Sequence, residues 1–172
     1  MKLINLIIIC CVFFASCTNV QFADPQPKSL DSLTEIPEKF QGTFIEVSSD
    51  TTTYVVTATS ISENDTEVFS MDSTMVVKGY GNTLYLNFIS SHGFNCHRIT
   101  LARSFNYEKI NISSIRINDS ENELKNIKYE KINTSTDPEA EKMEIIIKDI
   151  NYNQLQSLFD GSGQKEELIR IK

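Results

Sequence analysis

The chain has 172 residues, of which 40% are apolar and 23% are charged, and its formal net charge at pH 7 is −7. This length allows one domain of ordinary size, and the apolar fraction is sufficient for a core. Binding to nucleic acid requires clustered lysine and arginine side chains that meet the phosphates, whereas acidic residues are in excess here and no basic run occurs. The composition therefore excludes nucleic acid as the partner.

Residues 1–16 have the pattern of a signal peptide. Lys2 gives a positive start, and the thirteen residues from Leu3 to Ala15 are apolar except for Asn5. Such a run has the length of the apolar part of a signal peptide and is shorter than the about 20 residues that cross a bilayer as a helix. We expect these residues to be removed.

The residues around the expected cleavage point resemble the lipobox of bacterial lipoproteins. Two small residues, Ala15 and Ser16, precede Cys17, although Phe14 stands where that family usually has leucine. The resemblance implies that Cys17 becomes the first residue, carries diacylglycerol on its thiol and is acylated on its amine with a chain such as palmitate. Two or three acyl chains hold a protein on a membrane almost permanently. The alternative is an ordinary secretory cleavage near Ala15 or Cys17, which would release a soluble protein.

Residues 17–36 are interpreted as the lipidated cysteine and a flexible tether, and residues 37–172 as the folded domain. The stretch 18–39 contains three prolines and has neither a strand period nor a helix period. A flexible stretch of about 20 residues would reach roughly 25 Å. In some bacteria, surface-exported lipoproteins carry acidic residues directly after the cysteine. Residues 18–21 contain none, which favours a periplasm-facing position in the outer membrane.

From Phe40 onward the sequence predicts β-strands. Segments rich in Thr, Val, Ile and aromatic residues, such as GTFIEV (42–47) and TTYVVTATSI (52–61), are separated by turn residues. Gly81 and Asn82 predict a hairpin, and SSHG (90–93) predicts the following turn. In residues 107–118, Ile110 and Ile112 have the opposite parity to Ile115 and Ile117. A β-bulge at residues 113–114 would return all four to one face.

One helix is predicted, in the segment NYNQLQSLFDGSG. Asn151 or Asn153 is the expected cap, an apolar stripe follows at Leu155, Leu158 and Phe159, and Gly161 ends the helix. The segment ELIRI then predicts a last strand. Eight or nine strands with short turns predict a mainly β fold, an antiparallel meander that closes into a barrel or curls strongly, with one short C-terminal helix.

This arrangement is similar to that of the lipocalins. FQGTF (40–44) resembles their opening Gly-x-Trp motif with Phe44 in place of tryptophan, and a late helix before a last strand is also lipocalin-like. Their Thr-Asp-Tyr loop motif is missing. The whole chain resembles small lipoproteins of Bacteroidetes-type bacteria that begin with IPxxFQGxF. The resemblance implies a lipocalin-like domain in the bacterial cell envelope, and it implies no known activity.

The segment HGFNCH contains His92, Cys96 and His97. A metal site needs three or four ligands that converge, whereas adjacent residues of a strand point to opposite faces. We therefore predict no metal site and no catalytic residues, with Cys96 buried as a small apolar residue and both histidines solvated. The acidic segment ENDTE (63–67) is a candidate calcium site, but it lacks the glycine and spacing of an EF-hand loop. Clusters such as this one and DPEAEK (137–142) are interpreted as solvated loops.

Two functions are consistent with this pattern. The first is a non-enzymatic binding or scaffold module, anchored to the membrane by lipid on Cys17, that binds an envelope protein. The alternative is a lipocalin-like carrier of a small apolar ligand. No paired catalytic set occurs, so we predict neither an enzyme nor a cofactor. The many Ile and Phe residues, the absence of tryptophan and the presence of only six glycines favour a filled or nearly filled interior, with a partner on the outer surface or rim. The pattern identifies no ligand-binding residues.

Overall fold

The computed structural model describes residues 19–103, 108–117, 120–134, 143–161 and 164–171. Over these residues the fold is mainly β, which confirms the predicted fold class at that level. A 3₁₀ helix spans Glu38–Phe40, α1 is a single turn at Ser120–Glu123, and α2 spans Tyr152–Gly161. The twelve strands are β1 (Asn19–Phe22), β2 (Gly42–Glu46), β3 (Ser49–Val56), β4 (Ser60–Glu63), β5 (Thr66–Ser70), β6 (Met75–Tyr80), β7 (Thr83–Ser90), β8 (Gly93–Arg103), β9 (Glu108–Ser114), β10 (Lys128–Asn133), β11 (Met143–Asp149) and β12 (Gln164–Arg170).

All twelve strands belong to one mixed sheet. Nine of them form an antiparallel series in the order β6–β7–β8–β9–β12–β2–β3–β4–β5. The other three branch from β8, which pairs with β1 at Phe94, and β1 pairs in parallel with β11. Strand β10 then pairs with the far side of β11. The sheet is therefore more than the antiparallel meander that the sequence predicts.

The sheet is not closed into a barrel. Strands β5 and β6 are joined by a short turn, but β5 pairs with β4 and β6 pairs with β7. The chain before β2 runs along this gap, where the backbone N–H of Leu33 donates to the carbonyl of Val77 over 2.8 Å and that of Ile36 donates to Ala58 over 2.7 Å. Of the two predicted arrangements, barrel closure is therefore wrong, and an open sheet is present.

The two faces of the sheet belong to two separate cores. Leu84 and Leu86 of β7 point into the concave side, whereas Tyr85 between them points to the opposite side. The first core fills the concave side and contains Ile36, Phe40, Phe44, Met75, Val77, Leu84, Leu86, Ile99, Ile110 and Leu168. The second core lies between the outer face, β1, β11 and α2, and contains Val20, Phe22, Tyr85, Cys96, Ile117, Leu124, Ile145, Ile147, Ile150, Leu155, Leu158 and Phe159.

The parity change after β9 marks the passage of the chain from one core to the other. Ile110 is buried in the first core and Ile112 packs against it. Strand β9 ends at Ser114, and Ile115 and Ile117 then pack in the second core. The predicted bulge that would bring all four isoleucines to one face is therefore wrong. Both pairs are packed against apolar neighbours without a bulge because each meets a different core.

Residues 19–36 are part of the folded domain, which differs from the tether expected over 17–36. Phe22 is 0% exposed and Ile36 is 1% exposed. Between them, the backbone N–H of Gln26 donates to Oδ1 of Asn87 over 2.7 Å, and Nδ2 of Asn87 donates back to the Gln26 carbonyl over 2.8 Å. A short, proline-containing segment without periodicity is thus held by pairing with distant strands, which local sequence does not encode.

Helix α2 follows the sequence prediction. Asn151 and Gln154 form a reciprocal capping box, with 3.0 Å between each side-chain oxygen and the other residue's backbone N–H. The predicted stripe of Leu155, Leu158 and Phe159 is buried. Beside it, a polar network ties the helix to the sheet, since Arg98 of β8 donates to Gln156 over 2.8 Å and to Asp160 over 2.7 Å.

Candidate functional site

The concave side of the sheet encloses a cavity of about 220 Å³. Side chains from β2 to β5, from β7 to β9 and from β12 face it together, so the sheet curls around this space. Fourteen of its seventeen lining residues are aliphatic or aromatic, and these are Ile36, Phe40, Phe44, Tyr54, Val56, Ile61, Phe69, Leu84, Leu86, Phe88, Ile99, Ile110, Ile112 and Leu168. The other three are Glu63, His97 and Glu166. The sequence predicts a filled or nearly filled interior, whereas the sheet leaves this cavity.

The segment FQGTF supplies two deeply buried side chains of the cavity lining, and we call this part of the lining the floor. Phe40 and Phe44 are buried, and Gly42 between them adopts φ +135°, a conformation that side chains disfavour. The guanidinium of Arg170 lies 5.1 Å from the centre of the Phe44 ring and is held by an ion pair with Glu108 at 2.9 Å. The motif that resembles the lipocalin start thus forms the floor of the cavity.

The more exposed part of the cavity lining, which we call the mouth, is acidic. Glu63 follows Ile61 on the inner face of β4, and Glu166 precedes Leu168 on the inner face of β12. Tyr54 of β3 pairs directly with Glu63 in the sheet. Burial raises the pKa of the Tyr54 hydroxyl, and the charges of Glu63, Glu46 and Glu166 raise it further. Three carboxylates therefore act on one phenol at the mouth of an apolar cavity.

His97 is part of the cavity wall. It lies on the inner face of β8, with its ring edge-on to Phe88 at 5.2 Å between centroids. Burial lowers the pKa of the imidazole, because the charged form loses its hydration. The prediction that both histidines are solvated is therefore wrong for His97. The alternation of β8 turns this polar residue toward the interior along with Ile99.

His92, Cys96 and His97 do not form a common site. Cys96 lies on the opposite face of β8 from His97 and is buried in the second core, where burial raises the pKa of its thiol well above the usual range. His92 lies in the β7–β8 turn and contacts Glu144, with 3.1 Å between Nδ1 and Oε2. Within the described ranges, no group of three or more His, Cys, Asp and Glu side chains is placed to hold a metal ion.

The segment ENDTE forms the turn between β4 and β5. Asn64 and Asp65 have positive φ angles of 47° and 64°, as a tight hairpin requires. Oδ1 of Asn64 accepts a hydrogen bond of 3.0 Å from the backbone N–H of Thr53. The side chain of Asn64 is thus used in the turn itself. The acidic segment 137–142 lies outside the described residues.

Cys17, the predicted lipidation site, also lies outside the described residues, as does the signal-like segment 1–16. The first described residue, Asn19, lies in a surface depression with Asn95, His97 and Ser114. His97 thus borders both this depression and the cavity. The start of β1 therefore lies near the part of the cavity wall formed by His97.

The cavity residues were not identified from the sequence, although a signal for them exists. In each of β4 and β12, a glutamate has the same parity as an apolar residue two positions away: Glu63 with Ile61, and Glu166 with Leu168. A charged residue whose side chain faces the interior of the sheet indicates either the rim of a cavity or a binding site. Recognising that signal requires knowing which strands face each other, and this is a property of the assembled sheet.

Comparisons of the chain with models of known protein families, with curated proteins and with solved structures find no match. In the described part of the chain, neither α1 nor α2 has the length and apolar character needed to span a bilayer. The function is therefore inferred from the geometry of the cavity.

Proposed function

We propose that this protein is a non-enzymatic, lipocalin-like carrier that holds a small apolar ligand inside its curled sheet. The observation that supports this function is the cavity, whose floor and walls are almost entirely apolar. Its volume of about 220 Å³ exceeds that of an apolar protein cavity of about 150 Å³ that binds benzene. This volume is smaller than about 300 Å³, the lower limit for pockets that bind drug-sized ligands. The ligand is therefore a compact molecule or one part of a larger one.

The chemistry of the lining supports binding rather than catalysis. No serine, threonine or cysteine is among the described residues that line the cavity. The one phenol there, on Tyr54, has a raised pKa, which disfavours the phenolate that would act as a nucleophile. His97 packs edge-on against Phe88, with 5.2 Å between ring centroids. The described lining therefore offers no hydroxyl or thiol nucleophile other than a phenol held in its neutral form.

We further propose that the carrier is anchored in the bacterial cell envelope by lipid on Cys17, as a periplasm-facing lipoprotein. The support is the sequence pattern of residues 1–17 described above. Under this proposal only Thr18 separates the lipidated residue from β1. The domain would then sit close to the membrane and not at the end of a long tether, with the His97 side of its cavity near the anchor.

A larger side chain placed in the cavity tests the carrier function. Val56 lines it, whereas Val55 on the same strand has the opposite parity. We expect the protein purified from its native membrane to release a small apolar compound on denaturation, detected by mass spectrometry. We expect the Val56→Phe variant to have lost that compound and the Val55→Phe variant to retain it. Equal recovery from both variants, or no compound from the parent protein, would contradict the proposal.

The scaffold function is a second candidate, and the exposed strand β10 is the observation in its favour. Among the described strands, β10 pairs only with β11, so its other edge is open to a strand from a partner. This strand carries Lys128 and Lys131, and lysine on an edge strand disfavours its pairing with a strand of another protein. The carrier is therefore the better supported of the two functions.

A further inference from the structure

We propose that the ligand of the cavity is an organic cation, a compact apolar body that carries a positively charged amine. This inference rests on the proposed carrier function and adds the charge of the ligand to it. The cavity lining provides two different environments. Phe40 and Phe44 at the floor are buried and apolar, whereas the carboxylates at the mouth belong to Glu63, which is exposed, and to Glu166, which is half-buried. A molecule that matches both has an apolar end and a cationic end.

The charges of the mouth are of one sign. Among the described lining residues there are two glutamates and neither a lysine nor an arginine. Glu46 adds a third carboxylate, since it follows the inward-facing Phe44 by two positions on β2 and pairs with Leu168 of β12. An anionic ligand such as a fatty acid would place its carboxylate among these groups. The like charges would repel it, whereas a cation would be attracted.

The strand order places the two lining carboxylates and that of Glu46 on one sector of the sheet. Strands β12, β2, β3 and β4 are neighbours in that order, and they carry Glu166, Glu46, Tyr54 and Glu63 on their inner faces. The phenol ring of Tyr54 lies at the centre of this sector. An aromatic ring attracts a cation over its face, so Tyr54 complements the carboxylates. One ammonium group can therefore be met by several favourable partners.

The interior of the cavity fixes the direction of entry. Burying a charge without a partner is costly, and the side chains of Ile36, Phe40 and Phe44 at the floor offer no acceptor, while the Arg170 guanidinium already lies 5.1 Å from the Phe44 ring. His97 in the wall is held neutral by its burial and adds no positive charge that would repel a cation. The ligand therefore enters with its apolar body first and leaves its ammonium group at the mouth.

Three probes of one shape and different charge test this inference. These are 3-phenylpropylamine, 3-phenylpropan-1-ol and 3-phenylpropanoate, which at pH 7 are cationic, neutral and anionic. Their binding to the full domain is measured by calorimetric titration. We expect the amine to bind tightest, by about three- to tenfold over the alcohol, and the carboxylate to bind weakest. Added salt should reduce the preference for the amine.

Two variants show whether the preference arises at the mouth. Glu63→Gln removes one carboxylate there, and Glu38→Gln removes an exposed carboxylate that is not among the described residues lining the cavity. Both change the net charge equally. We expect only Glu63→Gln to reduce the ratio of amine to alcohol affinity, with the alcohol bound as before.

The outcomes separate this inference from the carrier function. If all three probes bind with equal affinity, or the carboxylate binds best, the inference is wrong and the carrier function stands. If Glu63→Gln and Glu38→Gln lower amine binding equally, the preference is due to overall charge, and the inference is wrong as well. If none of the probes binds to the parent domain or to Glu63→Gln, the carrier function fails together with it.

Discussion

Gln21 and Glu144 are hydrogen-bonded to each other inside the protein although 123 residues separate them in the chain. Nε2 of Gln21 donates to Oε2 of Glu144 over 3.0 Å, and Gln21 is 0% exposed. The other end of the Gln21 amide accepts from the backbone N–H of His92 over 3.2 Å. One buried side chain thus connects β1, β11 and the β7–β8 turn.

Replacing Gln21 with alanine should destabilise the protein by about 1–3 kcal/mol, because Glu144 would lose a donor while remaining buried. The free energy of unfolding is measured by denaturant titration. Asn19→Ala is the matched control, since Asn19 is exposed on the same strand and its replacement should change stability by less than about 0.5 kcal/mol. Equal effects of the two substitutions would show that the buried contact contributes nothing.

Leu158→Ala should cost about 2–5 kcal/mol in unfolding free energy, because Leu158 is 4% exposed in the second core and its removal leaves a cavity. The neighbouring Ser157 is exposed on the same helix. Ser157→Ala should therefore leave the denaturation midpoint nearly unchanged. A Leu158→Ala variant as stable as the parent would place α2 in solvent and contradict its packing on the sheet.

Stability should fall as the pH falls below about 6.5, in part because of His97. Burial lowers the pKa of His97 in the folded protein, whereas in the unfolded chain it titrates near 6.5. Between these two values the unfolded chain binds more protons, so acid favours unfolding. We expect His97→Gln to have a shallower loss of stability between pH 7.5 and 5.5 than the His92→Gln control. Parallel pH profiles of the two variants would contradict the assigned burial.

Cys96 should resist alkylation in the folded protein. Its thiol is 4% exposed, and burial raises its pKa, so both access and the thiolate fraction are low. We expect iodoacetamide to label the Cys96 peptide at least about tenfold more slowly without denaturant than in urea, as measured by mass spectrometry. Rapid labelling of the folded protein would mean that the second core opens readily.

Cys17→Ser should abolish labelling by an alkynyl fatty acid and release the protein from membranes, because the proposed lipid is attached to that thiol. The Cys10→Ser variant is the control and should remain labelled and membrane-bound. Fractionation of cells that express each form gives the result. Unchanged membrane association of the Cys17→Ser variant would contradict the proposed anchor.

The features that the sequence predicts correctly are those encoded by neighbouring residues. Helix α2 needs only a cap at Asn151 and an apolar stripe, and the hairpin at Gly81 and Asn82 needs only a turn between two apolar strands. In that turn Gly81 has φ +55°, as the residue type suggests. Each of these signals lies within about ten residues of chain.

The features that differ from the sequence predictions depend on distant pairing. Residues 19–22 alternate polar and apolar over only four positions, which is too short to predict a strand, and their partners are residues 144–147 of β11 and Phe94 of β8. The close approach of β1 to the β7–β8 turn also requires Gly93, since a Cβ there would lie 2.3 Å from the carbonyl oxygen of Phe22. His97 faces the interior for the same reason, because the assembly of the whole sheet determines which face of β8 points inward.

The parallel pairing of β1 with β11 has a consequence for the order in which the protein folds. A chain grows from its N-terminus, so residues 19–22 exist long before their partners in β11, and contacts that close so long a loop form slowly. Until residues 144–147 have been made, Val20 and Phe22 have no completed core in which to be buried. A nascent chain that has passed β9 therefore exposes an apolar N-terminal segment that chaperones or neighbouring chains can capture. We therefore expect the docking of this strand to be a late event in folding.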